Sequence, residues 1–173
     1  KYLSLCGPSV ESVEKIHDPL RPRSEASDFV FDIEITSNRI DTASVFGITQ
    51  EALAILPQFN KKTFIKFDPL KNFVFKKIKQ KTEKKMNIEI KDSNLVYRVS
   101  AVVLSGVKIK ESPKKLKQRL IDCGVNPINN VVDVSNYIRI ALGQPCHIFD
   151  YDSIGGARMI IRKSTKGETL TTL

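Results

Sequence analysis

The chain has 173 residues, 41% of them hydrophobic and 27% charged. That is enough apolar content to bury a core in one or two small domains, and it excludes disorder along the whole length. The longest nearly apolar stretch, Val99 to Val107, is far shorter than the ~20 residues a membrane helix needs. Three cysteines, Cys6, Cys123 and Cys146, show no paired spacing, so neither a disulfide scaffold nor a cysteine-based zinc site is expected, and the expected compartment is reducing.

Basic side chains number 28 and acidic ones 19, a formal charge of +9, but unevenly placed. Residues 61–119 hold 18 Lys/Arg and 5 Asp/Glu, a local +13, whereas the remainder holds 10 and 14, a local −4. Such a belt attracts polyanions by Coulomb steering and counterion release, which makes RNA a natural partner; a merely solvated lysine-rich surface has the same composition.

In chain order, Leu3 to Cys6 ends at the helix-stop pair Gly7-Pro8, and Val10 to Ile16 reads as a short strand. His17 to Ser27, with two prolines (Pro19 and Pro22) and several charges, reads as a connecting loop. Phe29 to Ile35 alternates apolar and acidic residues in its second half, as a half-exposed strand does. Asp41-Thr42 is a candidate cap for a helix running to about Leu56, with Val45, Ile48, Ala52 and Ile55 on one face and Pro57 ending it. Residues 58–86 interleave lysines with Phe59, Phe64, Phe67, Phe73 and Phe75. Aromatics among cations can stack on bases, or simply pack a strand onto a core.

Asn87 to Lys91 and Leu95 to Lys110 read as Val/Ile-rich strands. Ser112 is a candidate N-cap with Pro113 at the first helical position, for a helix reaching Cys123 before Gly124. A second helix fits Asn129 to Leu142, stopped by Gly143 with Pro145 close behind. Short strands are expected at His147–Phe149, Ala157–Arg162 and Thr169–Leu173. The expected class is α+β: a small N-terminal α/β unit over 1–57, a lysine-rich connection over 58–86, and an incomplete α+β domain with a mixed or antiparallel sheet over 87–173. Lys1 is not an initiator methionine, no signal peptide follows it, and the closing Gly167–Leu173 reads as a turn entering a strand. The chain is therefore expected to be a piece of a longer polypeptide.

Three constellations could carry chemistry. In Ser37-Asn38-Arg39-Ile40-Asp41 the Asn and Asp can satisfy backbone amides, and Arg39 can clamp a carboxylate or phosphate. In Asn129–Tyr137, the residues Asn129, Asp133 and Asn136 form a polar row along an otherwise apolar helix, able either to bind a ligand's polar groups or to hold neighbouring loops. In Gly143–Asp150, His147 follows a proline turn and can serve as a base, orient a water, or be purely structural. Cys146 and His147 are adjacent and would point to opposite faces of a strand, so they make no nucleophile pair. His17 and His147 with scattered carboxylates make no metal set.

These stretches are similar to the beta subunit of phenylalanyl-tRNA synthetases. Asp32-Ile33-Glu34-Ile35-Thr36-Ser37-Asn38-Arg39-Ile40-Asp41, continuing to Gly47-Ile48 and Glu51-Ala52, resembles the family's D-x-E-x-T-P-N-R-P-D stretch. Asn126 to Tyr137 and Gly143 to Asp150 resemble its P-I-N-N-V-V-D-V-T-N-Y and G-Q-P-L-H-A-F-D runs, and Gly167-Glu168 with Leu170 fits the G-E-x-L that follows. The resemblance covers 28–57 and 95–173 well, 1–16 weakly, and the lysine-rich middle hardly at all.

The resemblance implies a small N-terminal structural domain followed by the first part of an editing domain that hydrolyses tyrosine mischarged onto tRNA(Phe). By that match Ser135 and Pro145 line the pocket, and His147 and Asn136 take the catalytic role, positioning water for ester hydrolysis without a protein nucleophile. Asn38, Arg39 and Asp41 belong to the structural motif. It further implies an alpha subunit as partner in a heterotetramer, a cytoplasmic location, and ATP and Mg2+ as cofactors of the whole enzyme with neither bound by this segment. Ser135 stands where the family has Thr and keeps the hydroxyl; Cys146 and Ile148 replace Leu and Ala; Ser37 and Ile40 replace two prolines. The family's OB-fold insert has only His17 to Ser27 in its place, and its acidic pocket residue would lie beyond Leu173.

Overall fold

A computed structural model describes residues 1–17, 27–71 and 83–171. Residues 18–26, most of the stretch expected as a connecting loop, residues 72–82 and the final two residues lie outside the described residues. The expectations for that loop, for Phe73 and Phe75 and for the end of the last strand fall there.

α1 (Tyr2–Cys6) ends at Gly7, whose N–H returns to the Leu3 carbonyl at 2.8 Å. β1 (Ser9–His17) pairs antiparallel with β2 (Ser27–Glu34) in the register Ser9↔Glu34 to His17↔Ser27, and the register slips between Val10 and Ser12, so Glu11 is the extra residue of a bulge. Ile33 and Ile35 are half-buried while Asp32 and Glu34 are exposed, as the alternation in sequence requires.

A 3-10 turn (Ile40–Thr42) precedes α2 (Val45–Ile55). The cap of α2 differs from expectation. Ser44, not Asp41-Thr42, adopts the extended N-cap conformation and its hydroxyl accepts the Gly47 N–H at 2.9 Å. Asp41 is drawn away by Arg39, and Thr42 spends its hydroxyl on the Arg39 carbonyl. Of the four residues expected on the inner face, Ile55 is buried and Ile48 and Ala52 half-buried, but Val45 is exposed. Pro57 sits in a 3-10 turn (Leu56–Phe59) that closes at Asn60. Phe59 stacks on Tyr2 with ring centroids 4.6 Å apart, whereas Phe64 and Phe67 are exposed rather than packed.

α3 (Lys114–Asp122) and α4 (Asn130–Leu142) pack on each other, and α4 also packs on α2. The N-cap of α3 is Pro113, one residue after the expected Ser112, because ψ of Pro113 is still extended at 141°. The Ser112 hydroxyl is buried without a hydrogen-bond partner among the described residues. α4 starts as its sequence predicts: the Asn129 side chain accepts the N–H groups of Val131 and Val132 at 3.0 Å each, and Gly143 (φ 74°) closes the helix.

β3 (Asn87–Ile90) pairs parallel with β4 (Arg158–Ile161). Leu95–Lys110, expected as a strand, pairs with no other strand among the described residues. Its Tyr97, Val102, Leu104 and Ile109 are exposed, since β-branched composition alone supplies no neighbour for the backbone ladder. His147–Phe149 and 169–171 are likewise not strands. The result is an α+β fold with one antiparallel and one parallel pair.

The chain divides into two compact units, Lys1–Phe75 with Ile109–Ile148, and Lys76–Lys108 with Phe149–Leu173. In the first, Gly47 is buried where a Cβ would stand 2.3 Å from the Asp41 carbonyl oxygen and 2.8 Å from Thr42 Cα. Both neighbours are backbone and cannot swing aside. Gly47→Ala is therefore expected to destabilise the fold by about 1–3 kcal/mol or more, read as a lower midpoint in chemical denaturation.

Candidate functional site

The segment from Thr36 to Ser44 is fastened by one guanidinium. Arg39 donates from Nε and Nη2 to Asp41 at 3.1 and 3.0 Å, and from Nη1 and Nη2 to Glu51 on α2 at 3.1 and 2.7 Å. The two carboxylates push the Arg39 pKa up, Glu51 more than Asp41, and Arg39 holds the Asp41 carboxyl below its usual range. The Thr42 hydroxyl donates to the Arg39 carbonyl at 2.8 Å and Thr42 is buried. Arg39 thus clamps carboxylates of its own chain, one of the roles the sequence left open. Asn38 lies exposed on the turn just before it. Gly7, Pro8, Ser9, Glu34, Thr36, Arg39 and Thr42 line a shallow cavity of about 210 Å³ beside this clamp.

The polar row of α4 resolves into separate jobs. Asn129 caps the helix. Asn130 accepts the Lys110 N–H through its side chain at 2.9 Å and donates its own N–H to the Lys110 carbonyl at 2.8 Å. Asp133, buried at 1% exposure, accepts the Ile128 N–H at 2.8 Å through Oδ1, while Oδ2 has no partner among the described residues. These three hold the loops around the helix start. Ser135 is half-buried and donates its hydroxyl to the Val132 carbonyl at 2.7 Å; Asn136 is half-buried one position on. Tyr137 accepts a hydrogen bond from Arg119 at 2.9 Å.

Beyond α4, Gly143 turns the chain into Gln144-Pro145-Cys146-His147, all exposed. Asn136 precedes Gly143 by seven residues, about 10 Å along the helix axis. The structure therefore places Ser135 and Asn136 on the helix and Pro145 and His147 in the turn that follows it. It brings the two resembling stretches into contact at Ser44 and Gly143. That Glu51 is the main partner of Arg39 is not legible in the sequence, because nothing in a twelve-residue separation that crosses a turn announces the pair. Ser44 was missed as the cap, although a Ser directly before an apolar run is the usual signal.

Farther along, Arg162 forms a two-pronged pair with Glu168 at 3.0 and 2.5 Å, and the Thr165 N–H adds a third bond at 2.7 Å. Arg162 first, and the backbone amide second, lower the Glu168 pKa to about 2. Glu111 is held below its usual range by Lys117, which takes one lysine of the belt out of play.

Two outcomes follow. Asp133→Ala, which leaves the Ile128 N–H without its acceptor, is expected to cost about 1–3 kcal/mol in denaturant unfolding. The Glu168 carboxyl is expected to titrate near 2 in an NMR pH series. Because its pKa is depressed in the folded state, its contribution is complete above the ordinary glutamate value and disappears as the pH falls toward 2.

Residues 95–173 match the B3/4 domain family. The phenylalanine–tRNA ligase beta subunit of Dehalococcoides mccartyi is 41% identical over 146 residues, 84% of this chain and 17% of that protein. The same subunit of Aquifex aeolicus is 37% identical over 174 residues (94% and 20%), and that of Carboxydothermus hydrogenoformans 36% over 171 residues (99% and 20%). The chain therefore spans about a fifth or less of the length of the curated relatives it matches. Over most of its length it is a relative of the phenylalanine–tRNA ligase beta subunit, with a B3/4 domain over residues 95–173.

Proposed function

We propose that this chain is the part of a phenylalanine–tRNA ligase beta subunit that forms one wall of a pocket hydrolysing tyrosine mischarged onto tRNA(Phe), and that it contributes to tRNA binding. What supports this reading is the placement of Ser135 and Asn136 on α4 and of Pro145 and His147 in the turn that leaves α4, all within one short run of chain. Asn129, Asn130 and Asp133 are committed to holding loops, whereas Asn136 and His147 present polar groups that the helix cap and loop bonds do not use.

The chemistry is ester hydrolysis. Water attacks the carbonyl carbon of the tyrosyl ester, the bond to the ribose oxygen breaks, and tyrosine leaves as a carboxylate while the tRNA recovers its hydroxyl. His147 orients the water and takes its proton; the Asn136 amide donates to the carbonyl oxygen as negative charge builds there. Ser135 and Pro145 shape the wall. Such a second site supplies the discrimination that activation alone cannot reach between similar amino acids.

Lys114 and Lys115 in the first turn of α3, and Lys110 in the segment ahead of it, are exposed and offer phosphate contacts, while Lys117 is occupied by Glu111. In this reading 1–57 is a structural domain, 58–86 a connection and 87–173 the first part of the editing domain, with an alpha subunit completing a cytoplasmic heterotetramer. ATP and magnesium serve aminoacylation in the whole enzyme. Among the described residues there is no group of three or more His, Cys, Asp or Glu that could hold a metal ion. No described helix is long and apolar enough to cross a membrane. The lysines alone would also support a second reading, a tRNA-binding or assembly segment without hydrolysis.

Deacylation of tyrosyl-tRNA(Phe) by the full-length subunit pair separates the two. His147→Ala is expected to slow it at least about tenfold, a barrier increase of about 1.4 kcal/mol. Hydrolysis by the wild-type pair at no more than the spontaneous rate would leave the binding or assembly reading.

A further inference from the structure

Gly143 is in a left-handed conformation, and it is also wedged. A Cβ placed on it would stand 3.2 Å from Ser44 Cβ, 3.3 Å from the Ala43 carbonyl oxygen and 3.5 Å from Ser44 Oγ. The surface it meets is unusually fixed for a loop. Ser44 N–H donates to the Thr42 carbonyl at 2.7 Å, and Ser44 Oγ caps α2 through Gly47. The buried Thr42 is bonded to Arg39, whose guanidinium joins the loop to Glu51 on α2. A chain of four short polar contacts thus ends in the backbone of Ala43 and Ser44, and the end of α4 rests on it.

What leaves Gly143 has no such support. Gln144, Pro145, Cys146 and His147 are exposed and belong to no helix or strand. Their position is set where the turn begins, by the φ of Gly143 and by the seat under it.

We propose that the Arg39–Ser44 loop is a positioning device for the turn that carries His147, with Ser44 and Gly143 as its two contact faces. The inference concerns where the turn sits; that the turn serves ester hydrolysis rests on the editing reading above. A displacement of about 1 Å in such a group can cost on the order of a hundredfold in rate, so a seat of this kind bears directly on turnover.

Two explanations of Gly143 make different predictions. If only its φ matters, trimming Ser44 changes nothing. If close approach matters, removing the Ser44 side chain makes room for a methyl at 143. Glycine is tolerated at a helix N-cap, so Ser44→Gly alone is a mild change. The test uses the full-length subunit pair carrying Gly143→Ala, Ser44→Gly, or both. Two readouts are taken: the rate of tyrosyl-tRNA(Phe) deacylation, and the alkylation rate of the exposed Cys146, followed by peptide-resolved mass spectrometry.

Gly143→Ala is expected to lower kcat for deacylation roughly tenfold or more with KM little changed, and to shift Cys146 alkylation by about threefold or more. Ser44→Gly in the same chain is expected to restore part of both, since it removes the Ser44 contacts and leaves the left-handed φ and the Ala43 carbonyl at 3.3 Å. Ser44→Thr, which keeps the capping hydroxyl and the Gly143 backbone while adding bulk to the seat, is expected to shift both readouts in the same direction as Gly143→Ala. This variant carries the test should Gly143→Ala fail to assemble. Absence of rescue, or an unchanged Cys146 rate in Gly143→Ala and in Ser44→Thr, overturns the proposal. If the wild type shows no deacylation but the Cys146 rates follow the expected pattern, the seat stands and the editing reading falls.

Discussion

One guanidinium holds two carboxylates from different elements, and much of the first unit depends on it. Arg39 joins the turn at Asp41 to Glu51 on α2, and through Thr42 and Ser44 that turn becomes the surface on which α4 ends. A lone exposed ion pair contributes little to stability. This arrangement differs in having fork geometry toward both partners and a half-buried Glu51 whose side chain is 18% exposed. Its effect is geometric more than energetic, because it gives an exposed turn a defined shape.

Polar fastening of this kind matters here because the apolar core of the described residues is thin. Ile55 and Leu120 are the buried large apolar residues among them, while Thr42, Ser112 and Asp133 are buried and polar. Where few methyl groups interlock, hydrogen bonds with fixed directions decide how elements meet. Asp133 shows the logic. Its carboxylate is fully removed from water to hold a single N–H ahead of α4, a costly placement that makes sense when loop position, not burial, is what must be secured.

The parts of the fold legible in sequence were those fixed by local chemistry. Asn129 and Gly143 bracket α4 as written, since side-chain capping and a left-handed stop are decided within a few residues. β2 followed from its alternation. What failed depended on distant partners. Leu95 to Lys110 is strand-like in composition, yet a strand exists only beside another, and no residue of the segment says whether one is near. At Asp41 the local rule predicted a cap, but Arg39 competed for the same carboxylate and won. At the candidate site, the residue types were readable and the division of labour was not. Asn129, Asp133 and Asn136 look alike on a helical wheel, and only coordinates separate two structural residues from one whose amide is left for other use.

The choice of arginine and lysine as fastening cations also settles how the scaffold responds to pH. Asp41, Glu89, Glu111 and Glu168 are all held below their ordinary values, by Arg39, Arg158, Lys117 and Arg162 respectively. A depressed carboxylate contributes fully above its unfolded value and is lost only as the pH falls through the folded one. These four pairs therefore stay charged and unchanged through neutrality, and the seat beneath the His147 turn keeps its shape there. Histidine is the side chain type that changes charge between about pH 5 and 8. A pH dependence of the chain in that window therefore does not arise from these four pairs, whose charges are already fixed there, and the clamp that Arg39 makes with Asp41 is the same on either side of it.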